Sequence, residues 1–198
     1  MNLVKRFSMI ISGLAAVILF VAGLTSILNV SIPSLIFGFL LVPIFISLMV
    51  CLHYNSRGDM KLFSMLGVIF ACMYGVLISF NYYLQLTLMQ DNSSKLELFV
   101  MSNPNSMMWV IEVLGYFFMG LATLVVFPIF GSTLLERIIK LIFILNGLLG
   151  IGGLIGYANG LSMNIAMIGL MCWNIIMPIA AILMIFYFKK QVNTIYSN

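Results

Sequence analysis

The chain has 198 residues, of which 63% are hydrophobic and 7% charged, with a net charge of +4 and a mean hydropathy of +1.19. A soluble domain carries about 25% charge, so this composition excludes a water-soluble globular protein and makes the bilayer the solvent. No run of Lys or Arg exceeds two residues, which excludes a nucleic-acid surface and a polybasic lipid switch.

A membrane span needs roughly 20 mostly apolar residues. Six runs meet that description: 8–28, 35–51, 62–89, 107–130, 134–157 and 163–188. The short connections between them leave room for one domain, 1–198, and for no soluble catalytic module. The first run follows Lys5 and Arg6 as a signal peptide would. It is long, however, and no convincing small-x-small cleavage site precedes Leu35, so it is read as a retained span. The expected fold is all-α: six transmembrane helices in one bundle.

The basic residues set the expected orientation. Lys5 and Arg6 precede the first run, Arg57 and Lys61 follow the second, Arg137 and Lys140 follow the fourth, and Lys189 and Lys190 close the sixth. The other side of this ladder holds only Lys95, beside Asp91 and Glu97. Cytoplasmic loops retain Lys and Arg, so both termini are expected in the cytoplasm. The positive net charge is this signature.

Local signals fill in the spans. Ser8, Ser12 and Ala16 in the first, Gly67, Ala71, Gly75 and Ser79 in the third, and Gly152, Gly156 and Gly160 in the fifth form small-residue stripes. Gly147, Gly150 and Gly153 lie near the last of these. Such stripes let helices approach closely in lipid. They predict packing within the bundle or, through spans three and five, a homodimer or another membrane protein as partner. Pro43, Pro128 and Pro178 predict kinks within or near the ends of spans two, four and six. Cys51, Cys72 and Cys172 stand alone inside spans, as small apolar fillers do.

Between spans three and four lies the longest outer connection, 90–106. Its stretch 95–101 is compatible with a short interfacial helix, and Asn92-Ser93-Ser94 fits a glycosylation sequon. Asn103-Pro104 reads as a start signal for span four. Thr133-x-x-Glu136 reads as a capping box for span five, with Arg137 and Lys140 as neighbours of Glu136.

Glu112 is the only acid or base well inside a span, about 7 Å below Met107 at 1.5 Å per residue. A carboxyl at that depth faces a bundle interior, a wet cavity or a partner. Tyr116 and Gly120 share its helix face at four-residue spacing. At the same depth span three brings Asn81 and Gln85, one turn apart, with Tyr82 and Tyr83. Tyr157, Asn159 and Asn164 lie at the outer ends of spans five and six, and Asn174 beside Trp173 lies deeper. None of these neighbours is basic. Either the carboxyl keeps its proton, or a cation or cationic ligand supplies the missing charge. The candidate ligand-binding set is therefore Glu112, Tyr116, Asn81, Gln85, Tyr82, Asn174 and Tyr157.

A protonated link knitting spans three and four together is the alternative reading of the same residues. His53 is the only histidine, which excludes bis-His haem and multi-His metal sites. No phosphate loop, nucleophile elbow, HExxH or intramembrane acid pair occurs. The sequence thus points away from an enzyme, and no cofactor or metal is expected.

The stretch Tyr82-Tyr83-Leu84-Gln85-Leu86-Thr87, then Asn103-Pro104, Glu112-Val113-Leu114-Gly115-Tyr116, Met119, Leu121-Ala122, Pro128-x-Phe130 and Leu135-Glu136-Arg137, with Asn174 later, resembles a family of small six-span bacterial integral membrane proteins of unassigned function. The resemblance covers about 81–174. It implies a multi-pass protein of the bacterial cytoplasmic membrane and no particular chemistry. The leading functional expectation is a small transporter-like or sensor-like protein with an outward-facing polar pocket around Glu112, taking a small molecule or cation. The other is a non-catalytic accessory or assembly subunit of a larger membrane complex.

Overall fold

The computed structural model describes residues 3–28, 31–88, 99, 103, 105–160 and 163–196, with backbone alone for 27, 31, 163–173 and 191–196. The described residues form six α-helices and no strand: α1 (Leu3–Ile27), α2 (Ser31–Asn55), α3 (Met60–Leu88), α4 (Met107–Val126), α5 (Leu134–Ala158) and α6 (Met163–Tyr196). Helices α1 to α5 are each long and apolar enough to cross a membrane. The chain is a multi-pass membrane protein.

Three helices outrun their apolar stretches by several residues, and α1 does so at its start, Leu3 rather than 8. Helix α2 covers 31–55 rather than 35–51. Pro33 lies in its first turn, where a missing N–H costs no helical bond. At its other end the Asn55 side chain donates to the Cys51 carbonyl at 2.7 Å, so a polar residue continues the helix. Helix α6 likewise runs to Tyr196, beyond the expected 188, because hydropathy marks the membrane's edge and not the helix's.

Helix α4 does the reverse and stops at Val126 instead of 130. Pro128 sits in a 3-10 turn, Phe127–Ile129, that ends it. Its start is capped by Ser106, whose hydroxyl accepts from Trp109 N at 3.4 Å, and not by Asn103-Pro104. The Asn103 side chain instead accepts from Asn105 N at 3.0 Å. Pro104, the sequon and the expected interfacial stretch 95–101 lie outside the described residues, apart from an isolated 3-10 position at Phe99. At the start of α5, Glu136 accepts from Thr133 N at 3.1 Å and from its hydroxyl at 2.7 Å. Lys140 lies over the Phe127 ring at 5.6 Å.

Each helix packs on the next, and α6 returns to α1, so the six close a ring. Neighbours run antiparallel. Gly67 of α3 faces Ala122 and Val126 of α4 while Gly115 of α4 faces Ile78 of α3. Gly13 of α1 lies by Ile185 and Gly23 by Asn174 of α6. The four basic clusters therefore gather at one end of the ring, with the Glu112 turn towards the other.

The small-residue stripes mostly face inward. Gly67, Ala71 and Gly75 are buried against neighbouring helices. In α5 the working stripe is Gly147 and Gly150, which meet the α4 backbone around Gly120 at 3.0–3.2 Å from an added Cβ. Gly152 and Gly153, by contrast, have nothing within 4 Å of theirs. Large apolar side chains such as Val17, Phe20, Val76, Phe80 and Ile175 cover the outside, as lipid contact requires. Cys51 is buried and Cys72 exposed. The Cys172 side chain lies outside the described residues.

Candidate functional site

A buried stripe on α3 builds the site. Tyr74, Ile78, Asn81, Tyr82 and Gln85 follow one another at three- and four-residue steps and all point inward. On α4 the matching stripe is Trp109, Glu112 and Tyr116. Gly115 lets the two stripes meet: a Cβ there would stand 2.7 Å from the Ile78 side chain. Close approach at that turn sets the distance between Asn81 and Glu112.

Glu112 is 5% exposed. Its Oε2 accepts from Asn81 Nδ2 at 2.9 Å and its Oε1 from the Tyr82 hydroxyl at 3.4 Å. The Tyr82 and Tyr116 hydroxyls share a hydrogen bond of 3.2 Å. The Tyr82 ring is held in place by Gly38 of α2, since any Cβ at that position would fall onto it. Tyr74 stands behind, with its ring centroid 6.3 Å from that of Tyr116 and 5.4 Å from that of Phe45.

These groups line a cavity of about 200 Å³ between α1, α2, α3, α4 and α6. Ala22 and Ser26 come from α1, Ser34, Leu35, Gly38 and Leu41 from α2, and Asn174 from α6. Ser26 is exposed, Ser34 and Trp109 half-buried, and Glu112, Tyr74 and Leu41 buried. The cavity thus enters the ring from the end away from the basic clusters and has the carboxyl in its wall. Among the described residues no Lys, Arg or His lines it. Among the described residues no group of three His, Cys, Asp or Glu comes together as a metal site.

Among the described residues two buried side-chain polar atoms have no hydrogen-bond partner, Asn81 Oδ1 and Gln85 Nε2. Gln85 lies close enough to Glu112 to feel its carboxyl, yet Nε2 makes no hydrogen bond of proper geometry. An unpaired buried polar atom destabilises by about 1–3 kcal/mol, and both of these belong to the same site.

Beneath the chamber the ring is filled. Leu41 is shared by the two regions. Below it Phe45, Leu48, Met119, Phe143, Met177 and Met184 converge from α2, α4, α5 and α6. The void they leave, about 10 Å³, is at most the size of one water. An apolar plug therefore separates the chamber from the basic end.

Of the seven candidate residues, Glu112, Tyr116, Tyr82, Gln85 and Asn174 line one cavity, and Asn81 joins it through its bond to the carboxyl. Tyr157 does not, because α5 contributes nothing to the chamber wall. Asn159 turns back on its own helix, donating to the Ile155 carbonyl at 2.7 Å. The side chains of Asn164 and Trp173 lie outside the described residues.

Several wall residues were not foreseen. Trp109 and Tyr74 were readable, one by its three-residue spacing from Glu112 and the other by continuing the Asn81 stripe inward. Gly38, Ser34 and Ala22 carry no mark in the sequence, because what packs on them comes from other helices. No protein-family model, curated protein or solved structure matches the chain.

Proposed function

We propose that this protein is a six-span ligand-binding protein of the bacterial cytoplasmic membrane, transporter-like or sensor-like, with both termini cytoplasmic and the Glu112 chamber facing outward. The observation that carries the reading is a cavity of about 200 Å³ reaching a carboxyl that has no basic neighbour among the described lining residues. A residue that served only to knit α3 to α4 would need the Asn81 bond and no chamber. The orientation follows from the basic clusters, which favour the cytoplasmic side and lie at the opposite end of the ring. Helix α6 provides the sixth span, with its apolar stretch 163–188. The Met-rich plug suits either role, since Met side chains repack readily. In a transporter the plug yields; in a sensor it holds and passes strain along the helices.

A second reading, an accessory subunit, draws on Gly152 and Gly153, where α5 offers an open face. The chamber has no part in that reading, and so the first is preferred.

Ser34→Cys tests the chamber. In a variant lacking Cys51, Cys72 and Cys172, a membrane-impermeant maleimide should label this half-buried wall residue on intact cells. Labelling only after the membrane is opened would reverse the orientation. No labelling in either condition would remove the chamber as a solute site. Reporters inserted near Ser93 and fused after Asn198 should lie on opposite sides of the membrane.

A further inference from the structure

We propose that the chamber takes a small organic ammonium ion carrying a neutral oxygen acceptor, in the manner of an amino ether or amino alcohol. The inference rests on the chamber reading above and names its ligand class.

Three features of the wall define that class. The first is charge. One carboxyl, Glu112, faces a cavity lined, among the described residues, by no Lys, Arg or His, so the charge-complementary ligand is a cation. The second is aromatic surface. Tyr74, Tyr82, Trp109 and Tyr116 line the same space, and the faces of such rings attract ammonium groups through their quadrupoles.

The third feature is an orphaned atom on the wall. Gln85 is 9% exposed, lines the cavity and presents an unpaired donor, Nε2. The ammonium group reaches the Glu112 carboxylate, which Asn81 Nδ2 holds in place. Gln85 Nε2 needs an acceptor, and this decides against a bare metal ion. A sodium or potassium ion has no lone pair to offer Gln85 and leaves most of about 200 Å³ unfilled. An engineered cavity of about 150 Å³ holds benzene, so the space fits a chain slightly longer than that ring. The wall away from the carboxyl, Ala22, Leu35 and Leu41, suits the methylenes between the two polar ends.

The assignment predicts a division of labour. Glu112 supplies charge recognition, Gln85 supplies recognition of the ligand oxygen, and Tyr82 and Tyr116 brace the carboxyl while presenting ring faces. Gly38 acts as a positioning residue through Tyr82.

The test uses full-length protein in lipid nanodiscs, with Trp173→Phe so that Trp109 is the only indole. Probes of equal length are 2-(2-aminoethoxy)ethanol, its uncharged counterpart diethylene glycol, and hexylamine, which keeps the charge and lacks the oxygens. Sodium chloride at matched ionic strength is the fourth arm. The amino ether should change Trp109 emission and raise the melting temperature, with the glycol and the salt inert. Glu112→Gln should weaken amino-ether binding by about tenfold or more. Gln85→Leu should spare binding of hexylamine and abolish the preference for the amino ether.

Glycol binding as tight as amino-ether binding would overturn the ammonium assignment and leave the chamber reading standing. So would a response to sodium alone. No response to any probe would overturn the assignment as well, and Ser34→Cys labelling then decides separately whether the chamber stands.

Discussion

The chamber around Glu112 treats polar side chains differently from the basic end of the ring. At the basic end they bond to their own helix. Ser12 donates to the Ser8 carbonyl at 2.8 Å, Ser56 to Leu52 at 2.7 Å and Ser64 to Met60 at 3.0 Å. Further up the wall, Thr123 donates to the Gly120 carbonyl at 2.9 Å. Back-bonding of this kind uses a carbonyl already held by the helix and strands nothing when it is lost. A few cross-links supplement it, such as His53 Nδ1 with Ser64 Oγ at 2.9 Å and Asn146 to Thr123 at 2.8 Å. Thr25, Thr87 and Asn159 at the other end back-bond too, whereas around Glu112 the polar groups bond between helices and two of their atoms are left over. A polar residue in a membrane helix is therefore no sign of a site in itself. What marks a site is polarity that the fold does not satisfy.

The largest expected effect belongs to the packed region, at Gly147. An added Cβ would stand 2.5 Å from Leu124 Cβ and 3.1 Å from the Gly120 carbonyl oxygen. Neither atom is the free end of a flexible chain, so α4 and α5 must separate. Gly147→Ala should destabilise by about 2–3 kcal/mol through overpacking. Because α5 lines no part of the chamber, the protein that still folds should bind with nearly unchanged affinity. Thermal melting and ligand titration on the same sample check both halves. A large affinity loss at constant stability would mean that the two regions are not separable as drawn.

Glu112 comes next. Glu112→Ala leaves Asn81 Nδ2 and the Tyr82 hydroxyl without their acceptor and should cost about 1–3 kcal/mol. Glu112→Gln keeps the shape and an acceptor oxygen, so its cost should stay below about 1 kcal/mol. Both should sharply reduce stabilisation by an ammonium ligand, which in the wild type grows with ligand concentration by mass action. Equal melting temperatures for the Ala and Gln variants would show that the bonds to Asn81 and Tyr82 contribute nothing, and the carboxyl would then serve binding alone.

Gly38→Ala reaches the site indirectly. Its Cβ falls on the Tyr82 ring, and the ring must swing off Glu112 or α2 must shift. The expected cost is about 1 kcal/mol. Ligand affinity should fall while Glu112 itself is untouched, and adding Tyr82→Phe to Gly38→Ala should cost little more than either change alone, as coupled neighbours behave.

The sequence made the polar half of the site legible for a physical reason. A carboxyl in lipid is costly wherever it stands, so Glu112 needed no context to be noticed, and helical spacing carried the argument to Tyr116, Asn81, Tyr82 and Gln85. The apolar half was not legible. Gly38 reads as one more small residue in an apolar run until α3 lays Tyr82 across it, and Ala22 and Ser34 matter only because the ring closes. Tyr157 lies off the cavity wall for the same cause: depth in the membrane was inferred, but the direction it faces around the ring was not. The fold was plain in the hydropathy, down to helix order. Its termini were not, because a helix is ended by caps and prolines, as at Ser106 and Pro128, and not by the loss of apolar residues.

The smallest expected effect tests the comparison from its other side. Ser12 is fully buried and donates to the Ser8 carbonyl, so by burial alone it ranks with Asn81. In Ser12→Ala the carbonyl keeps its helical N–H, no polar atom is orphaned, and the methyl group fills nearly the volume of the hydroxymethyl. The cost should be under about 0.5 kcal/mol, with no change in ligand binding. Asn81→Ala at the chamber end, also fully buried, strips Glu112 Oε2 of its donor and should cost several times more. If the two variants melt alike, burial and not satisfaction governs these positions, and the unpaired atoms around Glu112 lose their value as evidence for a ligand.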